Sequence, residues 1–221
     1  MKIIQPQADL IRPQTYAEGV KALQFIEWMA RISHHMEDKQ TDSTWERFIK
    51  SVILEHGDWS VAEHSSATVI FRVDRGITHE LVRHRLFSYT QESTRFVNGR
   101  KSYPEGLEFI EPIELPAGFP AVRFDSSCFA AEQAYFSLLD VKVRPQEARA
   151  VLPNALASTI AMTGNFRSWR HLFLMRTTRE SHPDMRRVAV PLLTVFKERV
   201  PLIYDDIEPE ARQIDNLKKA K

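Results

Sequence analysis

Apolar residues recur at helical spacing early in the chain, at Ala22, Phe25, Ile26, Met29 and Ile32, directly after Thr15-Tyr16-Ala17-Glu18. A threonine three residues ahead of a glutamate is a capping box, so a helix is predicted to start there and to turn this stripe toward a core. Ser43-Thr44-Trp45-Glu46 repeats the signal. Trp45, Phe48, Ile49 and Val52 supply the second stripe, and Gly57 is placed to stop it. At 67–73 the period drops to two, with Ala67, Val69, Phe71 and Val73 alternating with Thr68 and Arg72, which predicts a strand with one buried face. Asp74-Arg75-Gly76 reads as a turn. Ile77, Leu81, Val82 and Leu86 then return to helical spacing, so the predicted helix over 77–87 carries Arg83-His84-Arg85 at its end.

Residues 88–120 are polar and then punctuated by Pro104, Pro112, Pro116 and Pro120, which forbids a long regular element. This predicts a long functional loop with one or two short strands around residues 108–110. Helices are predicted at 126–139, 145–152, 155–163, 168–178 and 183–199, the last kinked by Pro191, and residues 205–221 read as a polar, partly disordered tail. No internal repeat is visible.

Composition narrows the picture. With 221 residues and 43% hydrophobic content the chain can bury one sizeable core, and it reads as a single domain over 1–221. Only 7 glycines argue against an all-β fold rich in tight turns, so a helix-rich fold is expected. The single cysteine, Cys128, permits no internal disulfide and fits a reducing cytoplasm. The start lacks the apolar core of a secretion signal, and the apolar run at 188–196 is too short to span a bilayer, so no membrane partner is expected. A net charge of +1 and a pI near 7.9 speak against a large nucleic-acid footprint.

That balance hides a local bias: from Arg72 to Arg187 there are fifteen arginines but only Lys101 and Lys142. Arginine suits bidentate grips on phosphates and stacking on flat rings, which points to anionic, planar ligands such as nucleotides. The seven glycines have the spacing of neither a dinucleotide fingerprint nor a phosphate loop, and the eight histidines form no metal-ligand pattern, so no metal is expected.

One segment carries a specific signal. Arg83-His84-Arg85 is followed after seven residues by Ser93 and then by Thr94-Arg95-Phe96. A second block runs Ala148-Arg149-Ala150-Val151-Leu152-Pro153 and Thr163-Gly164-Asn165-Phe166-Arg167-Ser168, and a third is Ser60-Val61-Ala62-Glu63-His64. In these segments, across roughly residues 58–188, the chain resembles the flavin-dependent thymidylate synthases, whose patterns are Arg-His-Arg, seven residues, Ser; Ala-Arg-x-Val-Leu-Pro; Thr-x-Asn-x-Arg-Ser; and Ser-x-x-Glu-His.

The resemblance implies an α+β, helix-rich single domain with a central, mostly antiparallel sheet, assembled as a homotetramer with active sites at subunit junctions. It implies reductive methylation of dUMP to dTMP, with methylene-tetrahydrofolate as carbon donor and NADPH-reduced FAD as hydride source. Gln91, Glu92, Ser93, Thr94 and Arg95 would form the dUMP loop, joined by Arg149 and Arg176 and by Glu80 and Arg83 facing a neighbouring subunit's site. Arg83, His84, Arg85, Gln91, Asn165, Phe166, Arg167 and His171 would contact FAD, with Ser60 reaching it from another subunit. Arg176 would be the catalytic cation, stabilising charge on the pyrimidine without donating a proton.

Some residues invite other roles. Ser93 has no nearby base in sequence, so it reads as a phosphate ligand instead of a nucleophile. Cys128 sits in a helical context as a buried small hydrophobe, His64 fits a buried, hydrogen-bonded histidine as well as a ligand, and Arg170 and Arg179 read as surface charge. Asp58, Glu80 and Phe96 stand where the family commonly has histidine, glutamine and tyrosine, which leaves hydroxymethyl transfer to dUMP open as a variant activity. Two readings from different classes compete with an enzyme: an arginine-rich nucleic-acid module stacking bases on Tyr89, Phe96 and Tyr103, and a purely structural, oligomer-forming helical protein.

Overall fold

The computed structural model describes residues 1–210. Strands β1 (Lys2–Ile4) and β2 (Gln7–Arg12) open the chain. Helix α1 (Tyr16–Arg31) starts at the capping box: Thr15 Oγ1 accepts from the Glu18 N–H at 3.2 Å, and Glu18 accepts from the Gln14 N–H at 2.6 Å. Its buried face is Gly19, Leu23, Ile26 and Glu27, not the expected stripe, and Phe25 is 45% exposed. Close approach sets that face. A Cβ at Gly19 would lie 1.7 Å from the Arg199 carbonyl oxygen, so only glycine fits against that backbone.

The second expected helix forms as α2 (Trp45–Phe48), running into a π-helical stretch over Ile49–Glu55 with Trp45, Ile49 and Ile53 buried. Its capping box does not form: the Ser43 hydroxyl lies 3.2 Å from that of Thr41, and the helix begins one residue later behind Thr44, whose side chain makes no cap bond. Strand β3 (Ser66–Asp74) buries Ala67, Val69, Phe71 and Val73 as the alternation predicts. The predicted turn after it is a helix cap: Asp74 Oδ1 accepts from the Ile77 N–H at 2.9 Å and starts α3 (Arg75–Leu81). The helix then stops short of the expected residue 87, leaving Arg83-His84-Arg85 beyond its end. Val82 and Leu86, which set the helical spacing in sequence, find no core and are 40% and 79% exposed.

Inside the predicted loop lie β4 (Ser88–Gln91), α4 (Gly99–Ser102) and β5 (Glu108–Ile110). After it come α5 (Phe119–Asp140) and α6 (Pro145–Ala148), the latter continued by a 3-10 turn. The expected helix over 155–163 is instead a strand, β6 (Ala157–Asn165), burying Ser158, Ile160, Met162 and Gly164 at period two. Alanine and methionine favour a helix locally, but pairing prevails, with the Thr163 hydroxyl 2.9 Å from that of Thr68 on β3. Helices α7 (Phe166–Arg176) and α8 (Pro183–Arg199, with Pro191 inside) complete the order.

A four-stranded antiparallel sheet has the order β2-β3-β6-β4, and β1 pairs with β5 in a separate parallel ladder. The described chain divides into two compact units: residues 1–7, 71–83 and 90–161 form one, and residues 8–70, 84–89 and 162–210 form the other. The first unit is packed around Leu107, Phe109, Tyr135, Phe136 and the buried Cys128, whose thiol is pushed up to about 11 by burial and then by Asp125. The second is packed around the rings of Trp169, Phe173, Phe196 and Tyr204.

Two surface expectations change. Arg170 is an anchor, bonding Asp206 at 2.6 Å and lying over the Trp59 ring, because the chain after α8 folds back on it. The expected polar tail is packed at least to Ile207, which is 3% exposed, and residues 211–221 lie outside the described residues. Among the described residues no helix is long and apolar enough to cross a membrane, and no group of three acidic, histidine or cysteine side chains could hold a metal ion.

Candidate active site

In the first unit the end of β4 and the residues after it take on different tasks. The Gln91 amide donates to the Thr78 and Ser158 hydroxyls at 3.0 and 3.2 Å. Glu92 accepts from Arg72 at 2.8 Å, from the Thr159 N–H at 3.2 Å and from the Tyr103 hydroxyl, while Arg72 also donates to Glu108 at 2.6 Å. Both side chains thus hold the loop down and are spent on the protein. This anchor was missed in sequence, although Arg72 at a polar-face position of a strand was its visible trace.

Of the next three residues, Ser93 and Thr94 are half-buried and Arg95 is exposed. Ser93 Oγ accepts from the Arg95 N–H at 3.3 Å, a bond that supplies no base. Helix α6 and the turn after it reach back to the same place: Arg149 donates to Thr94 Oγ1 at 3.1 Å, and Arg95 donates to Gln146 at 3.3 Å. Arg95 also lies over the ring of Phe96, which is 77% exposed. Two guanidinium groups therefore flank a turn that carries two hydroxyls, a donor set suited to a phosphate. Glu80, half-buried on α3, accepts from the Arg83 N–H through its carbonyl, and the Arg83 side chain is exposed.

In the second unit α7 presents the remaining predicted residues. Asn165 caps it, accepting from the Ser168 N–H at 2.8 Å, so that side chain is committed to the helix start. Phe166 is fully buried, which leaves only its backbone to meet a ligand. Arg167 is exposed and paired with Glu63 at 2.6 Å, and His171 is exposed one turn later on the same face. Ser60 and Arg85 are exposed. His64 is exposed as well, not buried, on the wall of an open cleft of about 900 Å³ that also holds Arg12, Lys21 and Phe25.

At the end of α7, Arg176 Nε donates to His84 Nε2 at 2.9 Å. The accepting nitrogen carries no proton, so the ring's proton sits on Nδ1. Burial, then the Arg176 charge, then His171 hold this imidazole well below its ordinary range, at about 4, so it is neutral near pH 7. Tyr89 donates to the His84 carbonyl at 2.6 Å. Phe87 lies edge-on to Trp169 at 5.0 Å and against Gly164, where a Cβ would come within 2.3 Å of its ring.

Guanidinium and imidazole donors on Arg85, Arg167 and His171 are accompanied by Leu86, Leu174 and Met175, three large apolar side chains left 48% or more exposed. Such a mixture suits a flat ring carrying a phosphate chain.

The family described as thymidylate synthase complementing protein matches residues 17–202. A flavin-dependent thymidylate synthase from Corynebacterium efficiens is 36% identical over 216 residues, covering 89% of this chain and 83% of the relative. Its counterpart in Corynebacterium glutamicum is 35% identical over 225 residues, covering 93% and 86%. The fold is shared with the UMP/dUMP methylase PolB from Streptomyces cacaoi bound with 5-Br dUMP, at a TM-score of 0.75 and 22% identity over 93% of this chain and 96% of that one. These relatives favour neither the nucleic-acid module, nor the structural oligomer, nor hydroxymethyl transfer. The chain belongs to the flavin-dependent thymidylate synthases, methyltransferase enzymes of thymidylate formation.

Proposed function

We propose that the chain acts as a single functional domain that methylates dUMP at the uracil C5, with methylene-tetrahydrofolate as carbon donor, NADPH as reductant and FAD as its flavin. It does so in the cytoplasm, as a homotetramer with active sites at subunit junctions. The observation that carries the reading is the bond from Arg149 to Thr94, which joins two sequence-distant family segments at one turn and sets a second guanidinium beside Arg95. Ser93, Thr94, Arg95 and Arg149 then hold the dUMP phosphate, and Gln91 and Glu92 shape the loop from beneath. Arg85, Arg167 and His171 form the cofactor side.

Bound flavin supplies hydride. As hydride arrives at the uracil C6, negative charge develops on C5 and the C4 oxygen, and a fixed cation beside that oxygen stabilises charge absent from the ground state. Arg176 supplies that cation. It cannot give up a proton near neutrality, so its part is electrostatic and orienting.

Arg176→Ala is expected to lower dTMP formation by about 10²–10³-fold while the purified protein stays yellow. Product analysis with dUMP, methylene-tetrahydrofolate and NADPH checks it, and near-normal turnover overturns the assignment.

A further inference from the structure

Arg176 is the last residue of α7. A guanidinium is planar, so a hydrogen bond at Nε sets the direction in which its two Nη groups point. His84 Nε2 makes that bond at 2.9 Å. The histidine is itself well held: it is 7% exposed, its carbonyl accepts the Tyr89 hydroxyl, and its ring meets Phe87 edge-on at 6.3 Å.

We propose that His84 is a positioning residue for Arg176, fixing by its Nε2 the plane in which that guanidinium meets the pyrimidine. The inference rests on the catalytic reading of Arg176 and deepens it. It also revises the part of His84 from direct flavin contact to support of the neighbouring cation, since the ring is nearly covered and one nitrogen is already engaged. The groups facing the ring are Arg176 and His171, both of which disfavour a second proton on it. An imidazolium would have no lone pair for Nε, so the neutral form is the one that can orient the arginine. Orientation of this kind matters in proportion to its accuracy: a misplacement of about 1 Å can cost about 10²-fold in rate.

The test uses the flavin-loaded enzyme and four variants: His84→Leu, His84→Gln, Arg176→Ala and the double variant His84→Leu/Arg176→Ala. Flavin absorbance per subunit, thermal midpoint, kcat and the KM for dUMP are measured for each. His84→Leu is expected to keep its flavin and its KM within a few-fold and to lose about 10²-fold in kcat. His84→Gln, whose amide oxygen can accept near the position of Nε2, is expected to recover to within about tenfold of the native rate. The double variant should be no slower than Arg176→Ala, because two residues acting through one contact lose their effect together.

A native kcat in His84→Leu overturns the proposal, as do additive losses in the double variant. Flavin lost from the leucine and glutamine variants alike assigns His84 to the cofactor and overturns it too. If His84→Leu does not fold, His84→Asn replaces it. Its amide is one methylene short of the Arg176 Nε, so asparagine must be far slower than glutamine, and equal rates refute the idea. A dead Arg176→Ala beside a fully active His84→Leu sinks only this inference, whereas a fully active Arg176→Ala sinks the catalytic reading beneath it.

Discussion

Glu92 and Arg95 stand three residues apart on one loop and do opposite work. The carboxylate of Glu92 is turned inward and shared between Arg72, Tyr103 and the Thr159 N–H, whereas the Arg95 guanidinium stays at the surface beside Arg149's turn. Removing the charge of Glu92 leaves Arg72 short of a partner, so Glu92→Gln is expected to cost about 1–3 kcal/mol of stability. Its dUMP KM should change little once the variant is folded. Arg95→Ala is expected to do the reverse, keeping the urea midpoint and raising the dUMP KM by about tenfold, the scale of one charge-assisted phosphate contact. Urea unfolding and initial rates on both variants check the contrast, and a large KM effect in Glu92→Gln would return that residue to the substrate. The loop was legible in sequence as a unit, since its residue types match a family pattern. Which of its side chains turn inward was not, because that depends on Arg72 and Glu108, which reach it only through folding.

At the scale of elements, local pattern succeeded where one partner face decides the period and failed where two tendencies compete. Strand β3 has a clean alternation and was readable. Strand β6 mixes Ala157, Ala161 and Met162, which favour helix, with Thr159, Ile160 and Thr163, which favour strand, and pairing decides between them. The Arg-His-Arg segment was read onto a helix because Val82 and Leu86 fit the spacing, yet both are exposed and α3 stops before it. What holds that segment is instead the contact between Phe87 and the junction of β6 with α7. Gly164 is required there, since a Cβ would press into the Phe87 ring. Gly164→Ala is expected to cost about 1–3 kcal/mol, the range for overpacking a filled site. It should also slow turnover by displacing residues 84–89 relative to α7. A smaller ring partner relieves the clash, so Gly164→Ala with Phe87→Leu should regain part of the stability in urea unfolding; no recovery would mean that the clash lies elsewhere.

At the scale of the whole molecule, the exposed predicted ligands form the larger problem. Arg83, Arg85, Ser60 and His171 all point to solvent from this chain, and Leu86, Leu174 and Met175 are exposed with them. Such side chains acquire a common purpose if sites are completed by other copies, as the proposed homotetramer requires. This leads to a complementation experiment. Arg83→Ala and Arg176→Ala are each expected to be inactive alone, the first by weakening a neighbour's dUMP site and the second by removing the catalytic cation from its own. If the two arginines of one site come from different chains, random mixing of the two variants rebuilds about a quarter of the sites with both arginines present. Co-expression of differently tagged copies, tandem purification and assay for dTMP would measure it. Activity well above that of either parent, scaling with the fraction of mixed oligomers, is the expected result. Mixed oligomers as dead as the parents would place both arginines of a site on one chain and remove the need for an assembled junction.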